Sequence, residues 1–424
     1  HGSVLTLVPE KGLAAKKDKA LADKLEEYRK SLSEEELEAM VEKTKALEAY
    51  QEAEEDPEAL TCIPMLARED IKKEAAPLNN EEREVDGSLF LYHDVCTNGI
   101  GYVDLMFKIR DFDTEKVHYM GLLKSVLGAV DTENYTYGQL FNEINARTGG
   151  IVCGIEVFDN AKDPDDFQAM FSVRGKTLYP EMPFMFDMIR EIITTSSLED
   201  TKRLYEIIAQ TKSRAQAGLV SAGHSTAVLR GSAYGSPMAA FQDDMAGIGY
   251  YQFIEKLEKN FNTMKDEIIK NLRKVMEEIL RPENLCVSYT GERESLESTE
   301  KYTAEIRKVL FNGQISTPAV QAPCVKKNEG FRTSGQVQYV ARTGNFMRKG
   351  LEYTGALEIL KVILSYDYLW INLRVKGGAY GCMSGFKRNG QSFLVSYRDP
   401  HLKRTFEVYE GVPDYIRNFQ ADER

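Results

Sequence analysis

Two ten-residue stretches of this chain follow one pattern and lie about 230 residues apart. Phe141–Gly150 and Leu369–Gly378 can be aligned over their whole length, and both end in two adjacent glycines. Solenoid repeats are shorter, with periods of roughly 20 to 50 residues. The long spacing therefore predicts two copies of one α+β domain.

The same order of predicted elements surrounds both stretches. Period-two alternation of apolar residues indicates the strands, and apolar faces repeating every three or four residues indicate the helices. In the first copy we predict strands at 88–93, 101–110, 151–158, 168–176 and 285–291, and helices at 117–130, 137–147, 182–194 and 198–222, with more helix up to 280. In the second copy we predict a strand at 336–341, helices at 351–365 and 368–374, and strands at 379–388 and 392–398.

The segment before the first copy has a different composition, rich in Ala, Lys, Glu and Leu. Leu21, Leu25 and Tyr28 share one helical face, and Ser33 followed by Glu36 matches a capping box. We predict a two-helix hairpin here, which could serve as a solvated linker or as a hinge. Ser3–Val8 predicts one short strand; because a lone strand cannot bury both faces, we expect it to be the last strand of a preceding domain.

A length of 424 residues also favours several domains over a single core. We predict four parts: the end of a preceding domain at 1–12, the helical hairpin at 13–58, the first copy at 59–295, and a second, C-terminally incomplete copy at 296–424. His1 rather than Met opens the sequence, so we expect it to begin inside a longer polypeptide or after processing.

Charge and cysteine usage restrict the partners and the compartment. The chain has 54 Lys and Arg against 66 Asp and Glu, a formal charge of -12 that argues against nucleic-acid and anionic-membrane partners. No apolar run approaches the roughly 20 residues of a membrane span. The six cysteines are scattered singly, which indicates a reducing compartment: the bacterial cytoplasm, or an organellar matrix in a eukaryote.

The histidines and serines predict no independent catalytic centre. Zinc peptidases carry two histidines one helical turn apart with a nearby glutamate, and none of the five histidines here forms such a pair. His93 with Asp94 and Cys96 is the nearest cluster, and a hydrogen-bonded surface histidine explains it. His224 and Ser225 leave a metal-free hydrolase as a weak third interpretation, although no acid partner is evident.

The second glycine pair lies between an arginine and a tyrosine. Arg374 precedes Gly377 and Gly378, and Tyr380 follows Ala379. A guanidinium and a phenol can both donate hydrogen bonds to a carbonyl oxygen that gains charge, and glycines allow another backbone to approach. An architectural interpretation is also open, in which the arginine caps a helix and the tyrosine begins a strand. The first copy keeps the glycines but has Val152 where the second has Tyr380, so the tyrosine is special to the second copy.

At these residues the sequence resembles the M16 zinc metallopeptidases, or inverzincins, and within them the presequence protease and falcilysin branch. The motif Arg374–Gly381 carries most of the resemblance. Weaker matches are Leu47–Gln51, Ile63-Pro64, and Ala222–Ser225 with Arg230. The resemblance implies two bowls joined by a helical hairpin around a chamber that holds an unfolded peptide. Each bowl would consist of two homologous α+β domains, and each domain of a mainly antiparallel sheet with helices packed on it. The resemblance identifies this chain as the C-terminal half.

The resemblance also implies roles for the motif. Arg374 and Tyr380 would be catalytic, reaching a zinc site in the N-terminal half, and Gly377, Gly378 and Ala379 would contact the substrate. That half, on the same polypeptide, would carry the zinc, so this chain is expected to have no cofactor and no activity alone. The expected function is half of a zinc-dependent peptide-degrading metalloendopeptidase. The alternative is a non-catalytic peptide-binding or assembly subunit of a two-chain M16 complex.

Overall fold

The computed structural model describes residues 3–52, 57–62, 64, 67–110, 112–314, 324–333 and 335–420; His1 and Ile63 of the sequence patterns lie outside them. The chain forms two units, His1–Pro77 and Leu78–Arg424. The first unit contains helices α1 (Leu13–Ser31), α2 (Glu34–Glu52) and α3 (Pro57–Leu60) and a 3-10 turn at Arg68–Asp70. No helix in the described ranges is long and apolar enough to cross a membrane.

The connection between α1 and α2 has the predicted capping box. The Ser33 amide donates to Glu36 Oε2 over 2.9 Å, and the Glu36 amide donates to Ser33 Oγ over 3.2 Å. The predicted strand at Ser3–Val8 is wrong. A strand is held by hydrogen bonds to a neighbouring strand, and no described segment pairs with this one, so its apolar side chains are exposed. The predicted apolar faces of α1 and α2, including Leu21 and Tyr28, are exposed as well.

The first repeat is built on a six-stranded sheet in the second unit. Its strands are β1 (Glu81–Val85), β2 (Ser88–Asp94), β3 (Ile100–Ile109), β4 (Ile151–Asp159), β5 (Phe167–Leu178) and β6 (Leu285–Gly291), in the order β1-β2-β6-β3-β5-β4. Every pair is antiparallel except β2 with β6. Its helices are α4 (Thr114–Val126), α5 (Tyr137–Arg147), α6 (Met182–Thr195), α7 (Thr201–Ser221), α8 (Gly223–Ala233), α9 (Pro237–Ala246), α10 (Ile248–Lys259), α11 (Phe261–Ile279) and α12 (Leu296–Val309). The core lies between the sheet and these helices, and α4 buries Leu122 and Leu123 completely.

The second repeat has the same topology on a smaller scale. Its elements are β7 (Ala341–Asn345), α13 (Ala356–Ile363), the π-helical segment Leu364–Val375, β8 (Gly381–Phe386), β9 (Gln391–Tyr397) and α14 (Lys403–Asn418). The sheet order β7-β9-β8, antiparallel throughout, repeats the order β3-β5-β4 of the first sheet. The recurrence predicted from the sequence is therefore confirmed as a shared strand order.

Two predicted elements of the second repeat are wrong. The strand expected at 336–341 begins only at Ala341, because one extra residue on the β9 side interrupts the regular pairing before it and leaves Gln338 in a single bridge with Asp399. The helices expected at 351–365 and 368–374 form one continuous helix instead. No Gly or Pro separates them, and α13 widens into the π-helical segment without a break.

Helix α8 joins the two repeats through Arg230. Its guanidinium donates to Asp243 Oδ2 over 2.6 Å and to Glu329 Oε2 over 2.8 Å. Asp243 is buried and also accepts the backbone amides of Ile248 and Gly249, so its charge is fully satisfied. The hydrogen bond from Arg230 also lowers the pKa of the Glu329 carboxyl. These contacts fix the described segment 324–333 against the first repeat.

Candidate functional site

The glycine pair of the second repeat ends the π-helical segment. The Gly378 amide donates to the Arg374 carbonyl and the Ala379 amide to the Leu373 carbonyl, both over 2.9 Å. Gly378 is left-handed, with φ of 76°. A Cβ on Gly377 would lie 2.5 Å from the Leu373 carbonyl oxygen, so only glycine fits there. The pair is thus required by the helix end itself, which turns the chain directly into β8.

This turn brings Arg374 and Tyr380 together. Arg374 Nη1 donates to the Tyr380 carbonyl oxygen over 2.5 Å, and the Arg374 Cζ atom lies 4.3 Å from the centre of the Trp370 ring. The Tyr380 ring centre is 5.4 Å from the same Cζ atom. Tyr380 is 62% exposed, and no described group forms a hydrogen bond with its hydroxyl. The arginine is therefore held in place while the phenol is free to meet a ligand.

Behind Tyr380 lies a group of rings that we call the Tyr397 cluster: Tyr397, Tyr380, His224 and Tyr339. The Tyr397 ring centre is 5.7 Å from Tyr380, 4.9 Å from His224 and 5.6 Å from Tyr339. His224 is the second residue of α8, and a side chain on Gly223, the first residue, would collide with the Tyr339 ring. The cluster therefore connects the first repeat to Tyr380. The contacts of Tyr397 with His224 and Tyr380 are edge-to-face, an arrangement that aromatic pairs favour.

Sequence reasoning missed Tyr339, Tyr397 and a further neighbour, Arg398. Tyr397 and Arg398 reach the site through pairing of β9 with β8, since the Tyr380 amide donates to the Tyr397 carbonyl over 3.0 Å. The chain contains 22 tyrosines, and nothing local distinguishes these two from the others. Only the strand register, which the sequence did not predict, could have found them.

Two family models match most of the chain. A model described as peptidase M16, subfamily C, associated matches residues 7–257, and one described as "PreP C-terminal domain" matches residues 328–423. This chain belongs to the family associated with subfamily C of the M16 peptidases. The resemblance noted in its sequence is thereby confirmed.

Curated relatives of this M16-associated chain are longer proteins. Over 424 residues it is 38% identical to "Protein HypA" of Clostridium perfringens, and the alignment covers 100% of this chain and 43% of that protein. Over 427 residues it is 28% identical to "Presequence protease 1, chloroplastic/mitochondrial" of Arabidopsis thaliana, with 100% of this chain and 39% of that protein covered. The chain thus spans about two fifths of these relatives.

Solved structures share the fold. A conserved protein from Enterococcus faecalis superimposes with a TM-score of 0.55 at 13% identity, covering 80% of each chain. A protease from Helicobacter pylori gives a TM-score of 0.53 at 13% identity, covering 80% of this chain and 79% of that one. At such low identity these likenesses establish the architecture of the M16-associated chain and nothing about its chemistry.

The described residues of this M16-associated chain do not fit a zinc site. No three of their His, Cys, Asp or Glu side chains are grouped so that they could hold a metal ion. His93 Nδ1 contacts the Asn79 carbonyl oxygen over 2.9 Å instead. His224 Nδ1 is buried and has no hydrogen-bond partner among the described residues, so no acid orients it toward Ser225. Burial raises the pKa of Cys382 to about 11, which keeps this thiol protonated and unreactive.

Proposed function

We propose that this chain is the C-terminal half of a zinc-dependent, peptide-degrading metalloendopeptidase. Membership in the M16-associated family and the presequence proteases among its relatives support a peptidase role. The chain would form half of a chamber for unfolded peptides, and an N-terminal half of the same polypeptide would supply the zinc. In this proposal residues 59–295 and 296–424 are the third and fourth domains, except that α12 packs on the sheet of the first repeat, so their boundary lies after Val309 rather than at 296. The strand order that the two repeats share supports their homology.

Within that chamber, Arg374 and Tyr380 would stabilise the transition state. The observation that carries this role is the Arg374–Tyr380 hydrogen bond beside an exposed, unpartnered phenol. A guanidinium has five N–H donors, so one bond to the Tyr380 carbonyl leaves others for a substrate oxygen. Donors held in advance toward a developing oxyanion lower the barrier because they need no rearrangement during reaction.

The substrate backbone would pass over the glycine turn. Of the three residues proposed to contact it, Gly378 is exposed, whereas Gly377 and Ala379 are buried. The approach would therefore be made at Gly378, with the buried two shaping the turn beneath it. Gly378 lacks a side chain that could keep a second backbone at a distance.

The test uses the complete protein, with both halves present. We expect Arg374→Ala and Tyr380→Phe each to lower peptide turnover by about 10- to 1000-fold, because loss of one oxyanion donor costs that order of rate. Zinc content, measured by atomic absorption, should not change. Val152→Ala is the matched control, since Val152 has the place of Tyr380 in the first repeat and is also exposed.

Normal turnover in both site variants would overturn the proposed roles. A second measurement addresses this chain alone, which should not hydrolyse peptides. Hydrolysis by the isolated chain with a chelator present would instead support a metal-free mechanism. His224→Ala and Ser225→Ala would then identify its residues.

A further inference from the structure

Arg398 is the extra residue of a β-bulge beside Tyr380. Ala341 pairs with Val395, whereas Gln338 forms a bridge with Asp399, so the β9 side has one residue more than the β7 side. Arg398 has a left-handed backbone with φ of 49°. The Tyr380 amide lies between the carbonyl oxygens of Tyr397, at 3.0 Å, and Arg398, at 3.3 Å. Bulges of this kind re-aim a side chain and are frequent next to active sites.

The first repeat has an arginine at the equivalent position without a bulge. Val152, which has the place of Tyr380, pairs with Arg174 on β5. Arg174 Nε donates to Asp104 Oδ2 over 3.0 Å, and its Nη2 contacts Glu156. The register between β3 and β5 is continuous through this position. In the first repeat, two carboxylates therefore neutralise the arginine.

In the second repeat those carboxylates are absent. Ser384 replaces Glu156, and its hydroxyl contacts the Ser365 hydroxyl over 3.0 Å. The adjacent Asp399 is buried; it accepts the His401 amide over 2.8 Å and the Thr405 hydroxyl over 2.6 Å. No carboxylate of the described residues forms an ion pair with Arg398, whose side chain is exposed.

The Arg398 guanidinium, and the Arg374 donors that are not bound to the Tyr380 carbonyl, are thus available to a ligand. The Arg398 Cζ atom lies 6.0 Å from the Tyr380 ring centre and 5.5 Å from that of Tyr397, and the Arg374 Cζ atom lies 5.4 Å from Tyr380. Guanidinium groups bind carboxylates with two parallel hydrogen bonds. The whole chain carries a formal charge of -12, so its overall field does not favour an anion, and the attraction must be local.

We propose that Arg398, with Arg374, forms a carboxylate-binding subsite next to Tyr380 and that it selects bound peptides bearing a carboxylate there. The carboxylate is either the C-terminus of the peptide or an Asp or Glu side chain. The inference rests on the proposed peptide-binding role of this site and adds a charge preference to it. Arg398 is a binding residue in this proposal and takes no part in bond cleavage.

Trp370 allows a binding test on the chain alone. It is the only tryptophan, and it lies directly against the Arg374 guanidinium. Its emission is followed while three tryptophan-free octapeptides of Ala, Gly and Ser are added: one with a free C-terminus, one amidated, and one amidated with a single Glu. We expect tighter binding of a carboxylate peptide than of the neutral amide, and the better of the two carboxylates identifies the source.

Arg398→Ala should weaken binding of that peptide about tenfold, or roughly 1.4 kcal/mol, and leave the neutral amide unchanged. Arg398→Lys should retain part of the affinity, because lysine keeps the positive charge but lacks the paired N–H groups that bind both carboxylate oxygens. Arg174→Ala is the matched control and should have no effect. Equal affinities for all three peptides, no saturable signal with any of them, or unchanged binding by Arg398→Ala would each overturn the subsite. This assay measures binding only, so its result can contradict the carboxylate subsite without contradicting the catalytic roles of Arg374 and Tyr380, which the turnover test addresses.

Discussion

The two repeats share a sheet order and a glycine pair but differ in how their helices are covered. Helix α4 of the first repeat is enclosed by α9 and α11, and Leu123 is 0% exposed. Its counterpart α13 in the second repeat buries no residue, and Ile359 is 64% exposed. The strand order is therefore common to both repeats, whereas a closed core depends on the helices that follow. In the described part of the second repeat, only α14 comes after β9.

The two repeats share the glycine turn but differ in the side chains that follow it. Both repeats place a left-handed glycine before an edge strand, at Gly150 and Gly378. The first repeat continues with an aliphatic residue and a neutralised Arg174, whereas the second continues with Tyr380 and with Arg398, which forms an ion pair with no described carboxylate. The turn is thus common to both repeats, whereas the tyrosine beside it is found only in the second.

The largest expected effect tests the difference between the helices. Leu123→Ala should reduce the free energy of unfolding by about 2 to 5 kcal/mol, because it opens a cavity in an enclosed core. Ile359→Ala should change it by less than about 0.5 kcal/mol, since that side chain is already largely in water. Urea denaturation followed by circular dichroism measures both values.

Trp370 emission assigns the transitions, because Trp370 lies in the second repeat. A loss for Ile359→Ala as large as that for Leu123→Ala would mean that α13 is covered after all. The difference between the repeats drawn above would then be wrong.

The next effect concerns the first glycine of each pair. Gly377→Ala should cost about 1 to 3 kcal/mol, because the new methyl group meets the Leu373 carbonyl oxygen and the backbone must shift. Gly149→Ala should cost less than about 1 kcal/mol, because the group in the way is the flexible Lys176 side chain. Trp370 emission should report the first change and not the second.

The matched pair provides its own control. If Gly377→Ala and Gly149→Ala lose the same stability, the different contacts around the two glycines have no effect on the cost of an added methyl group. If only Gly377→Ala loses stability, the turn in the second repeat is the more constrained one. That constraint would then help to hold Arg374, whose neighbour Leu373 accepts the hydrogen bond that closes the turn.

Most of the fold could be predicted from local patterns. The strand Leu285–Gly291 and the helix Tyr137–Arg147 have the bounds predicted for them, and the strand at 88–93 differs by one residue. Alternation and helical faces identify such elements because burial on one side imposes their period. The pairing of Arg374 with Tyr380 could also be predicted, since only a short glycine turn separates them.

The remainder depends on contacts between residues distant in sequence. The late start of β7 and the bulge at Arg398 both follow from the register of β7 against β9. No local pattern contains either fact, because a one-residue change of register leaves the strand's own sequence unchanged. For the same reason, the Tyr397 cluster and the unpaired Arg398 could be recognised only in the structure.

The smallest expected effect comes from replacing each of the two equivalent arginines by glycine, which should change the free energy of unfolding in opposite directions. Arg398→Gly should raise the free energy of unfolding by about 0.5 to 1 kcal/mol, because glycine adopts the left-handed backbone without the strain that other residues pay. Arg174→Gly should lower it by about 1 kcal/mol, since the strand is extended there and two ion pairs are lost.

Arg398→Ala separates the effect of the backbone from that of the side chain, because it removes the guanidinium but keeps the left-handed strain. It should therefore be less stable than Arg398→Gly. If Arg398→Gly were the less stable of those two, no strain would be held at the bulge. A third outcome is that Arg398→Gly is more stable than Arg398→Ala but binds the carboxylate peptide more weakly than the unchanged chain does. The left-handed arginine would then lower the stability of the fold, and its role in binding would explain why it is kept.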